Sequence, residues 1–224
     1  MIKFGSCSEQ IQQKIIKLSG IQDLFVKRHC QNSTEYITYS ALIANKCPPR
    51  LVPEEHQLLF GVCQTLISRV YGEKSVTLLT AGFVESPVNC KLQEWHYDFG
   101  GNTENIFVPL RPATSLNATE YVEWVRPGIE LEMQQKLLPV IGEKRYLNLK
   151  EVNIEEPYRI RRAVANPFEI LRMPSHLLHR GTINRELYPR KVFYIATTLV
   201  PGFDLEPENK LPVTSWDPKS EEAE

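Results

Sequence analysis

The spacing of apolar residues changes at Gly72, and that change narrows the choice of architecture. Upstream, Leu59, Val62, Cys63, Leu66, Ile67 and Val70 recur at three and four residues, the pattern of a helix with one apolar face. Pro53 suits a first turn, Glu54 and Glu55 suit the positive end of the dipole, and Gly72 is a natural stop. A helix is also expected from Ser8 to Leu18, where Ile11, Ile15, Ile16 and Leu18 share a side and Gly20 follows. The segment to about Tyr71 therefore reads as helical, with its longer helix laid on the outside of a sheet. Downstream, β-branched and apolar runs at 76–84, 92–99, 105–110, 168–173 and 191–200 are separated by Pro, Gly and Asn. One more helix is expected at 130–138, inside a long connection. Helices first and strands afterwards give a mainly β, α+β expectation: a sandwich or barrel with helical support on one face. Residues 1–205 are expected to form a single catalytic domain, with 1–72 as mostly helical support and 73–203 as the β core. The polar stretch 206–224 is expected to be a flexible tail.

Composition excludes several classes. The 224 residues are 42% hydrophobic, enough for a sizeable core, and carry a formal net charge of -1. That balance argues against nucleic acid as a partner. No apolar run is long enough to cross a bilayer, and Met1-Ile-Lys-Phe-Gly-Ser lacks a signal-type stretch. Cys7, Cys30, Cys47, Cys63 and Cys90 are odd in number and form no Cys-x-x-Cys pair, so free thiols and a cytoplasmic location are expected. The triplets Asn32-Ser-Thr and Asn117-Ala-Thr then read as accidental glycosylation matches.

The chemistry centres on Gln93-Glu-Trp-His96-Tyr97-Asp98-Phe99-Gly100-Gly101. On a strand, His96 and Asp98 point to one face and Trp95 and Tyr97 to the other. An imidazole and a carboxylate two residues apart can hold adjacent positions on one metal ion. A histidine from another strand would complete the two-His-one-carboxylate face of non-haem iron(II) enzymes, with other positions open. Gly100-Gly101 lets the chain turn away sharply. Alone, the triplet is equally compatible with a hydrogen-bonded His–Asp pair on a half-buried strand.

A second segment supplies partners: Ile170-Leu-Arg-Met-Pro-Ser-His176-Leu-Leu-His179-Arg-Gly-Thr182-Ile-Asn184, leading to Tyr188-Pro-Arg190. Arg190, eleven residues after His179, could reach past the metal and grip a carboxylate with its forked guanidinium. A cosubstrate that chelates iron at one end and carries a distal carboxylate, as 2-oxoglutarate does, needs such a residue.

In this order, His96-x-Asp98, His179 and Arg190 resemble the 2-oxoglutarate- and iron(II)-dependent dioxygenases. The run His179-Arg-Gly-x-x-Asn184-x5-Arg190 is most similar to their phytanoyl-CoA dioxygenase-like branch. The resemblance implies a double-stranded β-helix (jelly-roll) core over about 76–199, with His96, Asp98 and His179 as iron ligands and catalytic residues. It implies Arg190 as partner of the distal carboxylate of 2-oxoglutarate, with Thr182 and Asn184 beside the cosubstrate. It also implies O2 as oxidant, succinate as coproduct and hydroxylation of a small organic substrate. The chain departs from the branch in two places. Arg111-Pro-Ala-Thr-Ser stands where a Pro-Gly-Ser-His segment is common, and Gly181 replaces a hydroxyl residue two positions past His179.

Several alternatives stay open at this level. His176 is the rival third ligand, while His29 and His56 read as helix-face histidines. Asn184 could orient cosubstrate or cap the turn. Arg180, Arg185 and the cluster Arg159, Arg161 and Arg162 could meet an anion, or form a solvated face. A cupin-like metal enzyme without 2-oxoglutarate, or a non-catalytic jelly-roll module, would share the fold. Neither the substrate nor the oligomeric state can be read from the sequence.

Overall fold

The computed structural model describes residues 1–21, 26–30, 33–42, 53–72, 74, 76–98, 103–141, 146–147, 149, 154–174 and 176–198. The Gly100-Gly101 turn, Cys47 and the tail from 206 lie outside these, as do the side chains of His29, Cys30 and His56.

Among the described residues there are twelve strands and three helices. In chain order they are β1 (Ile2–Ser6), α1 (Glu9–Ser19), β2 (Val26–Cys30), β3 (Ser33–Leu42), α2 (Pro53–Tyr71), β4 (Thr77–Ser86), β5 (Trp95–His96) and β6 (Thr103–Pro109). Then follow β7 (Glu120–Trp124), α3 (Glu130–Ile141), β8 (Tyr146–Leu147), β9 (Tyr158–Arg162), β10 (Glu169–Pro174), β11 (His179–Arg180) and β12 (Arg190–Thr198). They form two antiparallel sheets: a large one in the order β1-β10-β6-β12-β4-β3-β2 and a small one in the order β8-β5-β11-β7-β9. The chain changes sheet from β4 to β5, β5 to β6, β6 to β7, β9 to β10, β10 to β11 and β11 to β12. The fold is a double-stranded β-helix, mainly β with helical support.

Alternation along the central strands divides the large sheet. Ala81, Phe83, Ile106, Val108, Ile170, Phe193 and Ile195 face outward and join Ile11, Ile15 and Leu18 of α1 and Leu59, Val62, Cys63 and Leu66 of α2 in one core. This is the outside packing that the stripe on α2 predicts. Ser8 caps α1 by accepting from the Ile11 amide at 3.4 Å. Gly72 leaves α2 at φ +64, a conformation that favours glycine. The opposite face is read from the register: Ser86 lies opposite Arg190, Val84 opposite Val192, and Asn105 opposite Ala196 and Met173. A second core lies outside the small sheet, where Trp95, Tyr97, Val122, Trp124 and Leu178 pack with Ile129, Met133 and Leu137 at and along α3. Trp95 and Tyr97 therefore pack away from the metal-facing side, as their parity predicts.

The largest correction is in the first 72 residues. Three strands, β1, β2 and β3, stand beside α1 and α2 where mostly helical support is expected, and β3 pairs directly with β4 to widen the large sheet. The run Ser-Thr-Glu-Tyr-Ile-Thr-Tyr-Ser-Ala-Leu of β3 is rich in Thr, Tyr and Ile, which suit a pleated surface. Of the strand expected at 92–99, β5 covers Trp95–His96, paired with the equally short β11 and β8, and residue 99 lies outside the described residues.

Candidate metal centre

Two short strands bring the ligand candidates together. His96 on β5 lies directly opposite His179 on β11, so both side chains leave the same face of the small sheet. Their rings sit with centroids 4.4 Å apart, tilted by 54°. Asp98, two residues past His96, shares that face. Its Oδ1 lies 3.7 Å from His96 Nε2 and 3.4 Å from His179 Nε2. One ligand atom from each residue falls within 4.8 Å of the other two.

The histidine tautomers are set by the backbone. His96 Nδ1 sits 2.8 Å from the Glu94 carbonyl oxygen, and His179 Nδ1 sits 3.0 Å from that of Leu177. A carbonyl oxygen only accepts, so each Nδ1 carries a proton, and each Nε2, the ring nitrogen nearer Asp98, is the atom that a metal ion would take in place of a proton. Asp98 is fixed from its other side, where Asn105 Nδ2 donates to Oδ2 at 2.7 Å. Asn105 was not singled out by any motif. It shares the inner-facing parity of β6 with Thr103, Phe107 and Pro109.

Electrostatics favour a cation here. Burial and the neighbouring His179 pull the His96 imidazole down to about 4, so it stays neutral. Burial would raise the Asp98 carboxyl, but His179 and His96 overcome it and hold the acid below its usual range. Burial likewise works against a charged His179, yet the Asp98 carboxylate wins and raises it. With both Nε2 atoms free of protons, as metal binding requires, two imidazoles and one carboxylate form a hard/borderline donor set on one face, which suits iron(II). The Asp98 side chain is 25% exposed and His96 15%, so the centre has an open side.

The other predicted residues are placed as follows. His176, half-buried, is outside the metal-facing group, which among the described residues consists of His96, Asp98 and His179. Arg190 is buried at the start of β12. It donates to the Asn117 carbonyl at 2.6 Å, to Thr119 Oγ1 at 3.2 Å and to Ser86 Oγ at 3.1 Å. Thr119 immediately precedes β7, whose Tyr121 pairs with His179. Arg190 thus spans from the large sheet to the strand beside the third histidine. Thr182 is buried and donates to the Ala118 carbonyl at 2.9 Å. Asn184 donates to the carbonyls of Ser86 and Tyr188 and accepts from the Glu186 amide, which favours the turn-holding reading. Glu94 contributes its carbonyl, while its side chain is exposed.

No protein-family model matches the chain, and no curated protein sequence does. Solved structures do match over most of its length. AviO1 from Streptomyces viridochromogenes Tue57 superposes with a TM-score of 0.56 at 16% identity, over 90% of each chain. HygX from Streptomyces hygroscopicus, solved with nickel, 2-oxoglutarate and hygromycin B, gives 0.55 at 10% identity, over 90% of this chain and 82% of that one. SnoN, described as a non-haem α-ketoglutarate-dependent epimerase of nogalamycin biosynthesis, gives 0.55 at 11%, over 91% and 85%. At these identities the likeness is one of fold. None of the three is a phytanoyl-CoA dioxygenase.

Proposed function

We propose that this chain is an iron(II)- and 2-oxoglutarate-dependent oxygenase that hydroxylates a small organic substrate, releasing succinate. The observation that carries the reading is the convergence of His96 Nε2, Asp98 Oδ1 and His179 Nε2 from two paired strands. HygX, of the same fold, binds nickel and 2-oxoglutarate. In this reading His96, Asp98 and His179 hold the metal. Arg190 takes the distal carboxylate of 2-oxoglutarate, with the Ser86 and Thr119 hydroxyls beside it. The bound metal supplies Lewis acidity and O2 activation.

The residues of this chain do the rest. Glu94 and Leu177 fix the imidazoles through their carbonyls, and Asn105 fixes the carboxylate. Trp95, Tyr97 and Leu178 seal the sheet behind the ligands against water. Hydroxylation is favoured over halogenation because Asp98 fills the carboxylate position. The spacing from His179 to Arg190 supports the phytanoyl-CoA dioxygenase-like branch. The epimerase activity of SnoN shows that the same fold hosts another outcome.

The test measures succinate formed from 2-oxoglutarate with and without iron(II), together with the metal content of the purified protein. Native protein is expected to bind one equivalent of metal and to turn over. His96→Ala should lose both. A native protein that takes up no metal sinks the reading. A metal-loaded protein with no affinity for 2-oxoglutarate, unchanged by Arg190→Ala, would favour the cupin-like alternative.

A further inference from the structure

Arg180, Arg185 and, from the cluster before β10, Arg162 have no part in the metal centre, and the structure gathers these three elsewhere. Arg180 follows His179 on β11, so it leaves the opposite face of the sheet. There its guanidinium lies over Trp95, 4.4 Å from the ring centroid. It borders a cleft of about 250 Å³ whose lining includes Leu92, Leu116, Glu120, Arg162, Thr182 and Arg185. The volume is just below the ~300–1,000 Å³ usual for small-molecule sites, so the cleft suits a compact ligand.

Glu120 is buried and works as a bridge. Its Oε2 accepts from Arg180 Nε and Nη2 at 2.9 and 2.8 Å, and its Oε1 accepts from Arg162 Nε and Nη2 at 3.2 and 3.0 Å. Arg162 Nη1 also donates to the Ser115 carbonyl. The bridge fixes two guanidiniums in place, which lowers the entropy cost of using them. Arg185 is different: its side chain makes no hydrogen bond or ion pair among the described residues, yet it lines the same cleft. Three guanidiniums against one carboxylate leave a surplus of two positive charges at the lining. Leu92 and Leu116, at 41% and 48% exposure, offer apolar surface beside them.

We propose that this cleft is a binding site for an organic phosphate monoester, separate from the metal centre. The phosphate sits among Arg162, Arg180 and Arg185, and its apolar substituent lies on Leu92 and Leu116. A phosphate monoester carries about −1.5 to −2 charges at neutral pH and so matches the surplus, where a carboxylate leaves one guanidinium uncompensated. Its three oxygens suit forked donors arriving from several directions.

Isothermal titration with hexyl phosphate, inorganic phosphate and hexanoate tests the site, in native protein and in His96→Ala. Hexyl phosphate is expected to bind both proteins alike, and more tightly than either other probe. Arg185→Gln, on an exposed loop residue, should weaken it about tenfold or more, the loss expected for a charge-assisted contact. Leu116→Ser should weaken hexyl phosphate but not inorganic phosphate. Co-sedimentation with phosphatidic acid vesicles separates the sources. Pelleting that Arg185→Gln abolishes marks a lipid headgroup, and binding of the soluble ester without pelleting marks a free metabolite; either supports the site. No binding at millimolar hexyl phosphate, binding indifferent to Arg185→Gln, or binding lost in His96→Ala would overturn it. The last result would place the phosphate at the metal and leave the oxygenase reading standing.

Discussion

The two oxygens of Asp98 have separate duties. Oδ1 faces both imidazoles and Oδ2 accepts from Asn105. Removing that donor frees the carboxylate to rotate, and partners of this kind commonly account for about 10–100-fold in metal affinity. Asn105→Ala is therefore expected to weaken manganese(II) binding at least about tenfold, read by calorimetry. An unchanged affinity would show that Asn105 serves only the packing of β6. At this scale the ligands were legible because His-x-Asp has a fixed geometric meaning on any strand. Asn105 was not, because its importance comes from the bond it makes to Asp98, and an asparagine in a strand announces no partner. The sequence leaves His176 as a rival to His179; the register sets His179, and not His176, opposite His96.

The elements owe their positions to faces. Along β12, Phe193 and Ile195 point into the helix-covered core, while Arg190, of opposite parity, sits at the strand's beginning among polar partners. The helices cover cysteines as well. Burial pushes the Cys7 thiol up to about 11 and raises the fully buried Cys63 further. A thiol reacts as thiolate, so alkylation should be slow at pH 8 and rise about tenfold per pH unit until the thiolate dominates. Iodoacetamide labelling followed by mass spectrometry is expected to leave Cys63 unmodified in the folded protein and to reach Cys7 only in alkaline buffer. Rapid labelling of Cys63 at pH 7 would mean that α2 does not lie on the sheet as described. The helices were readable because a helix, and little else, repeats its apolar residues at three and four positions over several turns. The small sheet was not. β5, β8 and β11 are two residues each, too short to show a period, and β9 is a Tyr-Arg-Ile-Arg-Arg edge that resembles a charge run.

For the molecule as a whole, the candidate metal site is built on β5 and β11, strands remote in sequence that pair in space. Ligands that bind the folded state alone raise its stability by mass action. At a hundredfold excess over Kd the gain is about 2.7 kcal/mol, or ~5–10 °C in Tm for a domain of this size. Manganese(II) with 2-oxoglutarate should shift the melting curve by that order, manganese(II) alone by less, and His96→Ala by neither. A shift that survives in His96→Ala would place the ligands elsewhere. No helix among the described residues is long and apolar enough to cross a membrane.

The amino-acid order by itself determined the local matters: where α1, α2 and α3 run, which long segments are extended, and that His96 and Asp98 share a face. Each follows from backbone periodicity, a property of neighbours in the chain. Only the tertiary structure decided the matters of distance. It set His179 beside His96, brought Asn105 to Asp98, stretched Arg190 toward β7, added β2 and β3 to the large sheet, and joined Arg180 and Arg162 through Glu120. Those depend on register and sheet pairing, which many weak contacts between remote residues fix together, and no single stretch of sequence contains them.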